Sequence, residues 1–222
     1  SPYTKLKSYY YIEIGSICVY FLLKTKILPN YITMFYAGLG ILGFLLFTLD
    51  TNISIISALV IFFSKSIPDW IDGHIARLRK QTSQLGGYLD EWGAKVNLLS
   101  FQLGVLVYVA NYTGEVYYFI IGIVIALSDA IDLRKYIYMV SGLKYIAYGM
   151  ESTLSRSTST LSEFKEYLLK IFVILQYNGR SAYTDVVILA ISVELVLNQV
   201  IFTEYIVWMW CIISISKFIY GI

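Results

Sequence analysis

The chain has 222 residues, of which 58% are hydrophobic and only 14% charged, with a mean hydropathy of +0.67. A soluble domain carries about 45–50% apolar and about 25% charged residues, so a soluble globular protein, a disordered tail and a nucleic-acid binder are excluded. The net charge of +2, from Lys+Arg 17 against Asp+Glu 15, says little about partners.

At roughly 20 apolar residues per crossing, this length accommodates about six membrane helices with short connections. The 21 Tyr suit a chain with much surface at a membrane–water interface. The first residues, SPYTKLKSYYYIEIG, lack a charged region leading to a small-residue cleavage site, so no cleavable signal peptide is expected. Residues 1–29 are expected to form a cytoplasmic interfacial segment. Within it Lys5, Lys7, Lys24 and Lys26 alternate with Tyr, Ile, Phe and Leu, as in an amphipathic helix lying along the membrane. Pro29-Asn30 breaks that helix before the first span.

Apolar stretches follow at 31–49, 53–77, 88–110, 116–133, 182–199 and 204–221. Each is long enough to span with some tilt. The connections at 50–52, 111–115 and 200–203 hold no Lys or Arg. Arg77, Arg79 and Lys80 follow the second span, and Arg134, Lys135, Lys144, Arg156, Lys165, Lys170 and Arg180 lie between the fourth and fifth. By the positive-inside rule both termini and these two loops face the cytoplasm. The expected fold is an all-α integral membrane protein whose residues 30–222 form a six-helix domain with a cytoplasmic loop at 134–180. That loop joins a Ser/Thr-rich stretch to an amphipathic FKEYLLKIFVILQ, read as a second interfacial helix or as a lid over substrate. Cys18 and Cys211 sit in separate apolar runs and read as packing residues, not as a disulfide or metal pair.

The chemistry concentrates in residues 68–97, PDWIDGHIARLRKQTSQLGGYLDEWGAKVN. Ionisable residues inside spans are costly and tend to be functional. Asp69 and Asp72 close the second span three residues apart, so both project from one helical face, continued by Gly73, Ala76 and Arg77. Asp90 begins the next span after a short loop with Gly86 and Gly87, which brings it opposite the other two. Three converging carboxylates repel unless neutralised. A divalent cation with hard oxygen ligands, Mg²⁺ or Mn²⁺, answers that need and keeps positions for phosphate oxygens. Gly73 and Gly86 remove side chains where a ligand or facing helix must come close, Ala76 leaves room for something flat, and Arg77 offers a bidentate fork to phosphate. Together they describe a diphosphate site.

Asp69-x-x-Asp72-Gly73-x-x-Ala76-Arg77, eight residues, then Gly86-x-x-x-Asp90 resembles the signature of the CDP-alcohol phosphotransferases, also called CDP-alcohol phosphatidyltransferases. Pro29-Asn30-x-Ile32-Thr33 is similar to that family's usual approach to its first span. The resemblance implies six transmembrane helices, a homodimer, and transfer of a substituted phosphoryl group from a CDP-linked donor to an alcohol acceptor with release of CMP, using two divalent cations. It implies that Asp69, Asp72 and Asp90 hold metal, with the nucleotide diphosphate against Asp69, Asp72, Gly73, Ala76, Arg77, Gly86 and Asp90. Membrane lipid supplies one of the two substrates, as a CDP-diacylglycerol-like donor or as a lipid alcohol.

One departure matters. The family places a further aspartate four residues after the one matched by Asp90, where it serves as general base and helps hold the second metal; this chain has Ala94 there. Alanine does neither. An engineered replacement, a natural variant with another base (Asn97 or His74), and a silent homologue kept for binding, transport or assembly all remain open, and slow transfer is expected. His74, the one histidine, reads as interfacial packing more readily than as a ligand. Glu91 is read as facing another side of its helix, and Pro68 as kinking the second span. Arg180 is a candidate contact for an anionic acceptor or for a lipid headgroup. Glu194 is expected near midplane of the fifth span, with a partner that the sequence does not name.

Overall fold

The computed structural model describes the backbone of residues 2–127 and 180–220, and the side chains of 8–127 and 184–215. Every regular element among them is helical: α1 (Pro2–Leu23), α2 (Pro29–Thr48), α3 (Asn52–Ser64), α4 (Ser66–Leu78), α5 (Gln84–Thr113), α6 (Tyr117–Leu127), α7 (Arg180–Leu197) and α8 (Phe202–Tyr220). Three stretches among the described residues are long and apolar enough to cross a membrane: Pro29–Thr48, Asn52–Leu78 and Gln84–Thr113. The expected loop 134–180, with its interfacial helix or lid, lies outside the described residues. The contacts below belong to one compact unit, Ser1–Gly122 with Asp185–Val207; the second unit, Ile123–Thr184 with Trp208–Ile222, falls largely outside them.

The second apolar stretch is two helices. Pro68 has no N–H for the Ser64 carbonyl, and its ring crowds that carbonyl, so the helix parts at Lys65 between α3 and α4. Lys65 itself keeps helical dihedrals, φ −54° and ψ −30°, so Pro68 interrupts the hydrogen bonding at the start of α4, which carries Asp69 and Asp72. At its other end α3 begins with a capping box, the Thr51 hydroxyl accepting from the Ser54 N–H and the Ser54 hydroxyl from the Thr51 N–H. α5 is capped by Ser83, whose side chain accepts from the Gly86 N–H, and it ends at Gly114 in the left-handed conformation, φ 74°.

Small residues bring the helices together, as is usual where lipid removes the hydrophobic drive for association. A Cβ added at Gly40 of α2 would lie 2.9 Å from the Cα of Asn97 on α5, and one at Gly43 would lie 2.6 Å from the Phe62 ring of α3. Asn97 is wholly buried there and donates to the Tyr36 carbonyl at 3.4 Å, while its Oδ1 has no partner among the described residues. Phe47, Phe62 and Phe101 fill the space beneath, with Phe62 and Phe101 edge to face at 4.9 Å. Gly104 packs so closely on Phe47 that a methyl there collides with a ring that is itself fully buried. Gly104→Ala is therefore expected to destabilise the protein by about 1–3 kcal/mol despite alanine's better helix propensity, read as a lower apparent Tm in detergent. An unchanged Tm would show that the α2–α5 contact is looser than this.

α1 lies along α4. Val19 packs with Ile32, Ile71 and Ile75, flanked by Cys18, Leu22, Ile67 and Trp70, and a Cβ at Gly15 would sit 2.7 Å from the Trp70 ring. Cys18 thus serves packing, and it and Cys211 are free thiols. Arg79, expected only as a cytoplasmic positive charge, donates to the carbonyls of Leu22, Thr25 and Ile27 at 2.5–2.6 Å. It closes the C-terminal end of α1, whose last carbonyls no helical N–H can reach.

Glu194 is not at mid-helix depth. It stands in the last turn of α7, and its carboxylate accepts from the N–H groups of Ile201 (2.9 Å) and Thr203 (2.7 Å) and from the Thr203 hydroxyl (2.5 Å). The buried carboxyl group thereby meets the free amides and positive dipole end of α8. At the same end of the bundle Tyr118 donates to Glu204 at 2.8 Å and Tyr112 donates to the Asn198 carbonyl at 2.7 Å. Glu194→Ala leaves these donors buried and unpaired, and should lower stability by about 2–4 kcal/mol, with Glu194→Gln retaining most of it. Equal apparent Tm values for the two variants would refute the capping role.

Candidate active site

Asp69 and Asp72 stand one turn apart on α4, and Asp90 stands in the second turn of α5, after the turn at residues 79–83. Asp72 is buried, 4% exposed, whereas Asp69 and Asp90 remain exposed. Asp69 and Asp90, from facing helices, interact electrostatically, and Asp72 lies within reach of both charges. Lys65, at the break between α3 and α4, offsets part of the charge on Asp69, and Arg77 does the same for Asp72. The three carboxylates thus lie within electrostatic reach of one another across the turn between α4 and α5.

Two residues of α2 join them: Thr33, read in the sequence only as part of the approach to the first span, and Tyr36, which the sequence reading passed over. The Thr33 hydroxyl donates to Asp72 Oδ2 at 2.5 Å. Tyr36, 3% exposed, lies within electrostatic reach of Asp69, Asp90 and Asp72. Both rest on Gly93 of α5, where an added Cβ would stand 3.3 Å from the Thr33 methyl and 3.3 Å from the Tyr36 ring. Their signal was visible: a hydroxyl and a phenol one turn apart at the start of an apolar span.

The small residues have specific neighbours. A Cβ at Gly86 would meet Ser83 Oγ at 3.2 Å and Asn30 Oδ1 at 3.4 Å, so this glycine admits the α5 cap and the first turn of α2. Beside Gly73 lies the guanidinium of Arg77, 3.3 Å from an added Cβ, folded back along its own helix. His74 stacks on Trp70 with centroids 3.5 Å apart, and its Nδ1 lies 2.8 Å from the Trp70 carbonyl and 3.1 Å from Arg77 Nη2. One nitrogen cannot donate to the first and accept from the second, so the tautomer decides which bond forms. The packing role expected of His74 fits this stack. Ala76 and Ala94 are half-buried, and Ala94 follows Gly93 one turn beyond Asp90. Arg180 starts α7, and its side chain lies outside the described residues.

The donor set suits a hard divalent cation: carboxylate oxygens only, near one another, open to phosphate oxygens and water. Two facing carboxyl groups require a shared proton or a cation between them, and Mg²⁺ or Mn²⁺ would satisfy Asp69 and Asp90 at once. The Asp72 carboxylate is held by the Thr33 hydroxyl at Oδ2 and also by the Gly73 N–H. Among the described residues, no group of three or more His, Cys, Asp or Glu side chains stands close enough together to hold a metal ion by itself. The residues fit a metal shared between protein and substrate.

All regular elements among the described residues are helical and three stretches are long and apolar enough to cross a membrane, as in an integral membrane protein. The sequence model of the family described as CDP-alcohol phosphatidyltransferase matches residues 26–216, and the chain belongs to that family. It is similar to the bifunctional IPC transferase and DIPP synthase of Thermococcus kodakarensis, 41% identical over 69 residues, 31% of this chain and 15% of that protein. It is also similar to the CDP-diacylglycerol–glycerol-3-phosphate 3-phosphatidyltransferases of Haemophilus influenzae, 33% identical over 73 residues (33% of this chain, 40% of the relative), and of Blochmanniella floridana, 44% identical over 41 residues (18% and 22%). The matched stretches thus span less than half the length of each relative.

Proposed function

We propose that the chain is a membrane-embedded transferase of phospholipid synthesis, moving a substituted phosphoryl group from a CDP-linked donor to an alcohol. The observation that carries this reading is the meeting of Asp69 and Asp90, from facing helices, beside Asp72. The acceptor oxygen forms a bond to the donor phosphorus that bears the substituent. The bond from that phosphorus to the bridging oxygen breaks, CMP leaves with that oxygen and the electron pair, and the hydroxyl proton passes to a base.

In this reading Asp69, Asp72 and Asp90 hold Mg²⁺ or Mn²⁺, two ions in the fully active form. Bound there, the cation neutralises charge on the diphosphate and on departing CMP. The nucleotide passes beside Gly73, Ala76 and Gly86, Arg77 swings from Gly73 onto phosphate, and Arg180 meets an anionic acceptor. An apolar groove of ≈ 490 Å³, lined by Ile56, Leu59, Val60 and Phe63 of α3 and by Ile188 and Val196 of α7, runs along α3 toward Ser64 and supports a lipid as one substrate. The domain crosses six times with α1 on the cytoplasmic surface, the site faces the cytoplasm, and the enzyme is a homodimer. Ala94 leaves the transfer step without its base, which favours a second reading, a silent homologue that binds donor only or serves membrane binding or transport.

The test is Mg²⁺-dependent CMP release in detergent, using CDP-diacylglycerol, CDP-archaeol and CDP-linked headgroup donors with polar and lipid alcohols. Release above a cation-free control supports the transferase. Donor binding without release supports the silent homologue, and neither binding nor release defeats both.

A further inference from the structure

The Thr33 hydroxyl has two acceptors to choose from. In a membrane helix a threonine commonly returns its proton to the carbonyl one turn back. Here that carbonyl, on Pro29, is 3.4 Å away, while Asp72 Oδ2 on another helix is at 2.5 Å. Thr33 and Asp72 are 3% and 4% exposed, so no water competes for the bond. The other branch of the side chain, its methyl, abuts Gly93 on α5, 3.3 Å from where a Cβ would be. One residue of α2 therefore touches both helices that carry the carboxylates, with its hydroxyl on α4 and its methyl on α5.

We propose that Thr33 is a positioning residue for cation binding: its hydroxyl holds Asp72 Oδ2 so that the other oxygen stays turned toward Asp69 and Asp90. The proposal rests on the divalent-cation reading given above. A carboxylate free to rotate presents either oxygen to any partner, including the neighbouring guanidinium of Arg77. The Gly73 N–H, on the same helix, also bonds this carboxylate, and Thr33 adds the hold from a second helix. Groups that orient metal ligands in this way typically change metal affinity by about 10–100-fold when removed. A purely structural Thr33, acting as glue between α2 and α4, would instead change stability and leave cation affinity alone.

The experiment measures Mn²⁺ binding to the full chain in detergent by electron paramagnetic resonance, with apparent Tm in chelator recorded for each variant. Thr33→Val keeps the methyl and loses the hydroxyl; Thr33→Ser does the reverse. Thr33→Val is expected to bind Mn²⁺ about 10-fold more weakly or worse, Thr33→Ser within about threefold of the parent, and Asp72→Asn far more weakly than either. Equal Mn²⁺ affinity for Thr33→Val and the parent, with Asp72→Asn impaired, overturns the positioning role and leaves the cation reading standing. Equal losses in Thr33→Val and Thr33→Ser also overturn it, because the fit of the whole side chain between α4 and α5, and not the hydroxyl alone, would then carry the effect. A parent that binds no Mn²⁺, unchanged by Asp72→Asn, defeats the cation reading and the proposal together.

Discussion

Ala94→Asp is expected to raise Mg²⁺-dependent CMP release by about 10²–10⁴-fold, the range over which a positioned general base acts. Position 94 lies one turn beyond Asp90 on α5 and beside Gly93, against which Thr33 and Tyr36 already pack. Residues four apart share a helix face, so a carboxylate at 94 projects to the same side as Asp90. Ala94 is half-buried, and a side chain of aspartate size does not have to enter the closed Phe47–Phe62–Phe101 core below. A base there takes the acceptor proton as the new bond to phosphorus forms. Ala94→Asn matches the shape without basicity and should give no gain, which separates base catalysis from improved packing. The gain has a cost: a fourth carboxylate adds repulsion, so Ala94→Asp should lower the apparent Tm in chelator and recover it with Mg²⁺. If Ala94→Asp and Ala94→Asn stay equally inactive while donor still binds, the chain is a binding homologue and not an enzyme lacking one residue.

Much of the helical order was legible because membrane helices are written in composition. The stretch read at 31–49 is α2 at 29–48, and the one read at 88–110 lies inside α5 at 84–113. The placement of the carboxylates was legible too, since Asp69 and Asp72 at helical spacing, a short turn and Asp90 leave a hairpin few other ways to close, although Gly86 and Gly87, expected in the loop, lie in the first turn of α5. Pro68 told of the interruption at Lys65 because a missing N–H acts within one turn. What stayed hidden depends on pairs distant in sequence. Thr33 and Asp72 are 39 residues apart, and nothing local says that this hydroxyl prefers a carboxylate on α4 to its own helix. Arg79 looked like any cytoplasmic arginine, yet it satisfies carbonyls 52–57 residues away. Glu194 looked stranded in an apolar span because its partners, the amides of Ile201 and Thr203, become donors only once α8 begins where it does. Backbone groups are nearly invisible in a sequence read side chain by side chain.

Asp69→Asn should move stability in opposite directions with and without a divalent cation. In chelator the Asp69 and Asp90 carboxyl groups face each other within electrostatic reach and with no cation to offset them. Two like charges about 4 Å apart cost about 1 kcal/mol in water-like surroundings and more where the dielectric falls, unless a proton is taken up to relieve them. An amide at position 69 removes the repulsion and can donate to Asp90, so the variant should melt higher than the parent when no cation is present. With Mg²⁺ or Mn²⁺ the order reverses. The parent gains stability as the ion fills, by about 2.7 kcal/mol at about 100 times Kd. The amide cannot offer an anionic oxygen, so the variant's melting temperature should barely respond to cation, and donor binding should fall with it. This crossing is the behaviour of a functional site that stores like charge for a ligand to neutralise, at the expense of the empty protein's stability. Apparent Tm against Mg²⁺ concentration for the two chains reads it directly. A variant that melts lower than the parent in chelator would mean that the pair is a protonated structural contact. One that still gains as much as the parent from Mg²⁺ would take Asp69 out of the cation site.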